Sequence, residues 1–364
     1  MNKPLSLYIH IPFCEHICNY CDFPKLQYFS TFSKKYLKKL KEEIDSFNIS
    51  HQLDTIYIGG GTPTALSDEE FEDLLSYLDK YCLGVKEYTI EANPESLSLN
   101  KIKMMKNHHV NRVSIGVEST IDKYLLMMNR HHHYDDVKKA IDLLFDNRID
   151  NINVDLILGM PGYDLSSLKI DLDNLSSLNI KHISCYSLTV SPHTGFYINN
   201  IKPQEDDQMR EYYDFVHYYL LDKGFIHYEV SNWAKPGYES RHNLTYWKDE
   251  RYYGAGLGAS GYIDNIRYTN TKSINAYIKG ENIRNEEIVG LNDDRTYYIL
   301  TNMRTIYGIN LIDYQKRFNS SLLEEKSREI SELYGQGLIN INQEGISPSY
   351  EGMMLLDQII LKLL

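Results

Sequence analysis

Residues 14–21 read CEHICNYC and come just after the alternating apolar run Leu5–Ile11, which predicts a β-strand. Three cysteines, at positions 14, 18 and 21, fall in this loop and can converge on one metal centre. Structural zinc usually takes four ligands as two pairs, and the sequence has no second pair, although His16 could act as a strained fourth ligand. A [4Fe–4S] cluster held by only three cysteines leaves one iron open for an external ligand. The loop therefore predicts a metal centre, with iron–sulfur and zinc as the two alternatives.

The composition describes a folded protein with an acidic surface. The 364 residues are 42% hydrophobic, which excludes a disordered chain, and the net charge is −12. That charge argues against a nucleic-acid footprint and against docking on anionic lipid. The sequence lacks an apolar run of the ~20 residues that a membrane helix needs, and its N-terminus lacks the pattern of a secretory signal. The two remaining cysteines, Cys82 and Cys185, are single and lie in apolar contexts, so we expect buried thiols and a cytoplasmic protein.

Strand and helix patterns alternate through the first 222 residues. Ser67 with Glu70 three residues later predicts a capping box at the start of one helix. Six strands are predicted, at Leu5–Ile11, Thr55–Ile58, Glu87–Ala92, Arg112–Val117, Asn151–Leu158 and His182–Leu188.

This alternation predicts an α/β fold with a parallel sheet and right-handed crossovers. Six units are too few for a closed eight-stranded barrel, so we expect a partial (β/α)6 barrel. Weaker strand patterns extend it at Phe225–Val230 and Tyr262–Tyr268.

From about residue 290 the alternation stops. Helix patterns at Arg295–Ile306, Leu311–Phe318 and Leu323–Tyr334 lead to a short strand at Leu338–Ile341 and a final helix. We expect a small α-rich, winged-helix-like domain over residues 286–364, appended to a barrel domain over residues 1–285.

Polar residues stand at or beyond successive strand ends. Gly59-Gly60-Gly61-Thr62-Pro63 ends the second strand, where glycines let a ligand approach the backbone. Glu91, Glu118 and Asp155 follow on later strands, and Arg130 comes twelve residues after Glu118. Buried carboxylates are costly unless they are paired, so a structural ion pair between Glu118 and Arg130 is the alternative. Because parallel strands share one edge at their carboxyl ends, these groups predict a ligand site beside the cysteine loop.

A C-x3-C-x2-C loop after the first strand of a β/α chain resembles the radical S-adenosylmethionine (SAM) superfamily. This resemblance implies a [4Fe–4S] cluster held by Cys14, Cys18 and Cys21, with SAM on the open iron and a 5′-deoxyadenosyl radical formed when SAM is cleaved. The spacing resembles most closely the coproporphyrinogen III oxidase-like branch, and the match spans essentially the whole chain. Glu118 departs from that branch, where this position is commonly Gln. The resemblance implies SAM contacts at Tyr8, Tyr20, Gly60, Gly61, Thr62, Glu91, Glu118, Arg130 and Asp155.

Two features separate the oxidases of this branch from its heme-binding members. The oxidases carry a further cysteine two residues beyond the triple, where this chain has Phe23. The segment HNLTYW at 242–247 resembles the signature of the heme-chaperone family. Imidazole is a frequent axial ligand of heme iron, so His242 is the candidate heme ligand, and a local hydrogen-bonding role is the alternative. The tract His131–His133 is interpreted as solvated.

The resemblance thus implies a heme chaperone that binds heme and passes it to an acceptor protein, expected to be a membrane-bound heme enzyme, with an electron donor for the cluster. The alternative function is an oxygen-independent coproporphyrinogen III oxidase, which converts two propionates to vinyl groups. A radical SAM enzyme that modifies tRNA is opposed by the net charge of −12.

Overall fold

The computed structural model describes residues 3–281 and 284–364. Within these ranges twelve strands form one sheet, whose centre is a run of six parallel strands in sequence order. These six strands are β1 (Ser6–Ile11), β2 (Thr55–Gly60), β3 (Glu87–Ala92), β4 (Arg112–Glu118), β5 (Asn151–Leu158) and β6 (His182–Ser187). The predicted α/β fold with six β/α units is confirmed.

The two faces of this sheet differ in chemistry. Alternate residues such as Ile9, Ile58 and Ile90 are fully buried and pack toward the outer helices. The register of the strands brings the intervening residues together on the inner face, and nearly all of them are polar. These inner residues are Ser6, Tyr8, His10, Thr55, Tyr57, Glu87, Thr89, Glu91, Arg112, Ser114, Asn153, Asp155, His182 and Ser184.

Helices cover the outer face. Ser67 accepts from the backbone of Glu70, and the Glu70 side chain returns to the backbone of Ser67, so the predicted capping box is present. Three 3-10 turns occupy Pro63–Ala65, Asp79–Tyr81 and Pro94–Ser96. The helices of this part are Ser30–Ser46, Asp68–Leu78, Leu99–Asn107, Asp122–Met127, Tyr134–Asp146, Leu165–Ser176, Gly195–Ile198, Asp206–Asp222, Arg241–Trp247 and Ile274–Lys279.

Further strands extend the sheet at both edges. Beyond β6 the sheet continues through Asn232–Ala234, which is antiparallel, and Ile226–Glu229. Beyond β1 lies Tyr252–Ala255, which pairs in parallel and escaped prediction. The predicted strand Tyr262–Tyr268 is instead a hairpin of Ser260–Ile263 and Ile266–Asn270, because Asp264 turns the chain with a positive φ of 51°. Arg284–Ile288 completes that edge.

The C-terminal part has a separate hydrophobic core around residues such as Ile299, Ile346 and Ile359. Three short strands, Ile309–Asn310, Ile339–Ile341 and Gly345–Pro348, form its small sheet. The predicted helix over 323–334 is interrupted because Lys326 leaves helical geometry. The helices here are Leu291–Asn302, Leu311–Phe318, Leu322–Glu325, Ser327–Gly335, Tyr350–Met354 and Leu356–Leu363.

The two cores support our proposal of two domains, divided at residues 285 and 286, although the strand Arg284–Ile288 crosses that boundary. Among the helices of the described ranges, none is long and apolar enough to cross a membrane.

Candidate cofactor site

A cavity of about 460 Å³ lies at the carboxyl ends of the parallel strands. The cysteine loop forms one of its walls, and the ends of β2 to β6 form the other. Most of the predicted site residues line it: Cys14, Cys18, Tyr20, Cys21, Gly60, Gly61, Thr62, Glu91, Glu118, Arg130 and Asp155.

The three thiols of the loop face this cavity, and all three are free. Burial raises the pKa of Cys14 to about 12, and burial also raises the pKa of Cys21. Metal binding therefore has to release thiol protons, as it does at thiolate sites in general. Within residues 3–281 and 284–364, no three side chains of His, Cys, Asp or Glu lie close enough together to bind one metal ion between them.

The glycine segment is held by Glu91 at the end of β3. The backbone N–H of Gly60 donates to Glu91 Oε2 at 2.8 Å, and the Tyr57 hydroxyl donates to Oε1 at 2.7 Å. Gly60 has a φ of +111°, and a Cβ there would run into the ring of His10. Only glycine fits this turn, as expected where a ligand approaches the backbone closely.

Glu118 and Arg130 share the opposite wall. Glu118 lies at a bulge in β4 with a positive φ of 66°, a conformation that non-glycine residues seldom adopt outside constrained sites. Its Oε1 accepts from the Tyr20 hydroxyl at 2.9 Å. Arg130 donates to the Gly116 carbonyl and, at 3.0 Å, to Asn93 Oδ1. Thus Arg130 braces backbone and amide oxygens, and the alternative of a direct ion pair with Glu118 is not formed.

Asp155 points inward from β5, as alternation predicted. Its carboxylate accepts from Ser114 Oγ at 3.2 Å and from Asn153 Nδ2 at 2.9 Å. Burial raises its pKa, while these donors oppose the rise. Burial likewise raises the pKa of Glu91 to about 6 and that of Glu118 to about 7. Three carboxylates on one cavity disfavour each other's ionisation and favour a cationic ligand.

The chemistry of these residues fits both a cluster and SAM. Three thiols supply the anchors of a cluster that keeps one iron open. SAM carries a positive sulfonium and an amino group, which suit the carboxylates of Glu91, Glu118 and Asp155. The Nε of Arg130 is buried without a hydrogen-bond partner among the described residues, and such an orphaned donor indicates an absent acceptor.

Two predicted residues lie outside the cavity lining. Tyr8 sits deeper on the inner face, where its hydroxyl lies 3.0 Å from His10 Nδ1. His242 lies in the first turn of the helix Arg241–Trp247, at the amino ends of the strands on the far side of the barrel, and is 1% exposed. Its Nδ1 lies 2.7 Å from Thr55 Oγ1 and its Nε2 lies 2.8 Å from the Tyr246 hydroxyl. Both ring nitrogens are thus occupied, so the structure does not present His242 as an iron ligand.

The histidine tract differs from the prediction at its centre. His132 is buried, with Nε2 donating to the Val117 carbonyl at 3.1 Å and Nδ1 facing Glu95 at 3.4 Å. His131 and His133 are exposed. The isolated thiols of Cys82 and Cys185 lie in the hydrophobic core, as expected.

Sequence reasoning missed several residues that support the site. Asn93 lies between Arg130 and Thr62, to which its Nδ2 donates at 3.3 Å. Asn93 stands two residues after Glu91, and Asn153 two residues before Asp155, so strand alternation was the available signal. Strand alternation also indicates Tyr57, because Tyr57 lies two residues before Gly59 and therefore faces the same side of the sheet.

Comparison with known proteins identifies the superfamily of the domain that contains these residues. A family model of the radical SAM superfamily matches residues 8–175, a span that holds all three thiols and the carboxylates above. Membership of this superfamily implies SAM and a [4Fe–4S] cluster.

Relatives that match over the full length of the chain show to which family within the superfamily it belongs. The chain is 35% identical to the heme chaperone HemW of Lactococcus lactis, over all of this chain and 98% of that protein. It is 36% identical to the heme chaperone HemW of Bacillus subtilis, over 96% of each. The chain belongs to the HemW family. The HemW of Escherichia coli is also similar, at 31% identity over 85% of both chains.

The fold has a full-length counterpart among solved structures. Coproporphyrinogen III oxidase (HemN) of Escherichia coli, described as a radical SAM enzyme, superimposes with a TM-score of 0.86 over 99% of this chain and 90% of its own. At 20% identity this likeness shows that this chain has the same fold as the oxidase.

Proposed function

We propose that this protein is a heme chaperone that binds heme and transfers it to an acceptor protein, and that it carries a SAM-ligated [4Fe–4S] cluster. The observation that carries the proposal is full-length similarity, at 35% and 36% identity, to two proteins named heme chaperones. The acceptor is expected to be a membrane-bound heme enzyme, and an electron donor is expected for the cluster.

Cys14, Cys18 and Cys21 would hold the cluster. Gly60, Gly61 and Thr62 would receive SAM on the loop side, and Glu91, Glu118, Arg130 and Asp155 would surround it on the strand side. Tyr20 would stand beside Glu118, and Tyr8 would support the site from below. When bound, the cluster supplies an electron to SAM. The carboxylates attract a cationic ligand by their charge. The Nε–H of Arg130 has no hydrogen-bond partner among the described residues and can donate to an anionic group of the ligand.

Phe23 bears on the choice between chaperone and oxidase. It lines the cavity and is 63% exposed, at the position where the oxidases have a cysteine. A phenyl ring can neither ligate nor exchange a proton, so this position cannot do the work of a thiol. An exposed aromatic ring does suit contact with a porphyrin face.

Heme titration of the anaerobically reconstituted protein tests the proposal, with a coproporphyrinogen III assay run beside it. We expect a Soret band that saturates with added heme and no protoporphyrinogen in the presence of SAM and a reductant. The opposite pair of results, no heme binding together with protoporphyrinogen formation, would establish the oxidase function instead.

The cluster assignment has its own controls. Alanine variants of Cys14, Cys18 or Cys21 should lose the iron–sulfur absorbance, because each removes one of three anchors. Cys82→Ala and Cys185→Ala should keep it, since both thiols lie in the apolar core away from the cavity. Equal loss in either control would overturn the three-cysteine assignment.

A further inference from the structure

The buried contacts of His242 lead toward the cofactor cavity. Its ring lies against the ring of Tyr57, with centroids 5.0 Å apart and planes inclined by 31°. The Tyr57 hydroxyl donates to Glu91 Oε1 at 2.7 Å. Glu91 in turn accepts the Gly60 N–H at 2.8 Å. A continuous series of four contacting groups therefore runs from the bottom of the barrel to the glycine segment.

The His242 ring itself is fixed on every side. Burial lowers its pKa to about 3, so the ring is neutral and has one donor and one acceptor nitrogen. These nitrogens are matched by Thr55 on β2 and by Tyr246 one helical turn away. The backbone N–H of His242 donates to Glu87 at 2.9 Å, which anchors the helix start to β3. The ring is thus held rigidly against Tyr57.

We infer that His242 is a positioning residue for the SAM site, acting through Tyr57 and Glu91. The imidazole blocks the space into which the Tyr57 ring would otherwise turn. Tyr57 keeps its hydroxyl on the Glu91 carboxylate, and the fixed carboxylate keeps the Gly60 N–H and the glycine turn in place. The inference rests on the proposed function in one respect, that Glu91 and Gly60 face SAM.

Four single variants and one double variant, His242→Ala with Tyr57→Phe, test the inference, each reconstituted with its cluster and titrated with SAM. His242→Ala empties the space beside Tyr57, Tyr57→Phe keeps the ring but removes the hydroxyl, and His242→Gln keeps a donor and an acceptor. His227→Ala is the matched control. That imidazole is also buried, yet it stacks on Trp233 at the sheet edge, 4.0 Å between centroids.

We expect His242→Ala and Tyr57→Phe each to weaken SAM binding by about tenfold, the scale of losing a hydrogen bond to a charged group. The double variant should be little weaker than either single variant, because both changes release the same carboxylate. His242→Gln should recover much of the affinity. His227→Ala should lower the melting temperature and leave SAM affinity unchanged. Heme affinity should be similar in all four variants.

Unchanged SAM affinity in either His242→Ala or Tyr57→Phe overturns the inference. If His242→Ala also weakens heme binding in that case, His242 is a heme ligand after all. If His242→Ala does not fold, Tyr57→Phe decides alone, since it retains the ring and its packing. Failure of the wild-type protein to bind SAM would instead refute the proposed function, and that outcome is seen before any variant is made.

Discussion

Each carboxylate of the cavity has a different set of hydrogen-bond donors. Glu91 has a tyrosine and a backbone N–H, Glu118 has a tyrosine, and Asp155 has a serine and an asparagine. Among the described residues, no lysine or arginine forms an ion pair with any of these three carboxylates, so each retains capacity to attract a cation. Individual substitutions should therefore affect ligand binding more than folding.

Asp155→Asn tests this expectation directly. The change keeps the size of the side chain but removes the charge and turns one acceptor into a donor, which can face the Ser114 hydroxyl while the amide oxygen keeps Asn153 Nδ2 as its donor. We expect SAM affinity to fall about tenfold, with little change in cluster content or melting temperature. Asp171→Asn is the matched control, because Asp171 is fully buried and accepts from Thr120 and Tyr163 in the core. Asp171→Asn should lower the melting temperature and leave SAM affinity unchanged. If Asp155→Asn instead lowers the melting temperature and leaves SAM affinity unchanged, Asp155 is a structural residue.

Glu118 should give the unliganded protein a distinct pH dependence. Its pKa is raised from 4.5 to about 7, chiefly by burial, so the folded state keeps a proton that the unfolded chain has already released. The stability contributed by this group is present below pH 4.5 and is lost as the pH rises toward 7. Glu118→Gln removes the titration. Melting temperatures measured between pH 4.5 and 7.5 should fall less in the variant than in the wild type, and parallel curves would contradict the assignment.

Among the elements, the helix Asp68–Leu78 depends on its start. The Ser67 hydroxyl accepts from the Glu70 N–H, and Glu70 also accepts from Tyr28 at 2.8 Å. Ser67→Ala should lower the free energy of unfolding by about 1 kcal/mol, the usual contribution of an N-cap. Urea denaturation measures this. The comparison is Ser166→Ala, at an exposed serine in the first turn of the helix Leu165–Ser176, where the N-cap residue is Asp164. An equal effect in both variants would mean that the cap is not the cause.

The same elements show what sequence pattern can and cannot reveal. Glu87–Ala92 and Asn151–Leu158 were predicted with their observed bounds, because buried parallel strands bounded by turns have a strong local signal. The four-residue strand Tyr252–Ala255 has no such signal. It is defined by pairing with β1, more than two hundred residues earlier, and only the folded chain reveals that partner.

The candidate site shows the same difference between what local sequence patterns predict and what tertiary packing decides. Cysteine spacing and strand ends located the cavity, because both are local features. The position of His242 depends on how the helix Arg241–Trp247 returns beneath the barrel, where Glu87 accepts the N–H groups of its first two residues. A motif next to aromatic residues suggested a ligand, whereas the tertiary fold buries the same imidazole. Local pattern therefore predicted which residues are special, but only tertiary packing shows what they contact.

At the scale of the whole molecule, the small C-terminal core contacts the barrel at several places, which include the 2.6 Å ion pair of Arg317 with Asp249 and a cluster around Tyr350. Tyr350 stacks on His217 with centroids 3.8 Å apart, and its hydroxyl donates to Asp214. Arg210 makes two 2.9 Å bonds to Glu351. Aromatic stacking and a bidentate ion pair together hold the helices Asp206–Asp222 and Tyr350–Met354 against each other.

Tyr350→Ala should loosen this contact without disturbing the cofactor site. Removing the stacked ring should weaken the contact by about 1 kcal/mol. Hydrogen exchange should accelerate in the two contacting helices, while iron–sulfur content and SAM affinity stay at wild-type values. Tyr334→Ala, at a tyrosine that is 58% exposed in the same C-terminal part, should leave the exchange pattern as it is. Exchange that is unchanged by Tyr350→Ala would mean that another contact holds the two parts together.

The polar inner face of the sheet also governs how a newly made chain matures. The polar groups that line the cavity can form more hydrogen bonds than they make to one another, so without a bound ligand the remaining capacity has to be met by water. A cofactor that binds only the folded form stabilises that form more strongly as the free concentration of the cofactor rises. In cells short of iron or sulfur, more of the protein would lack its cluster. This cluster-free form would unfold more often and would be degraded sooner by proteases. The lifetime of this protein in the cell would thus report on the supply of iron and sulfur.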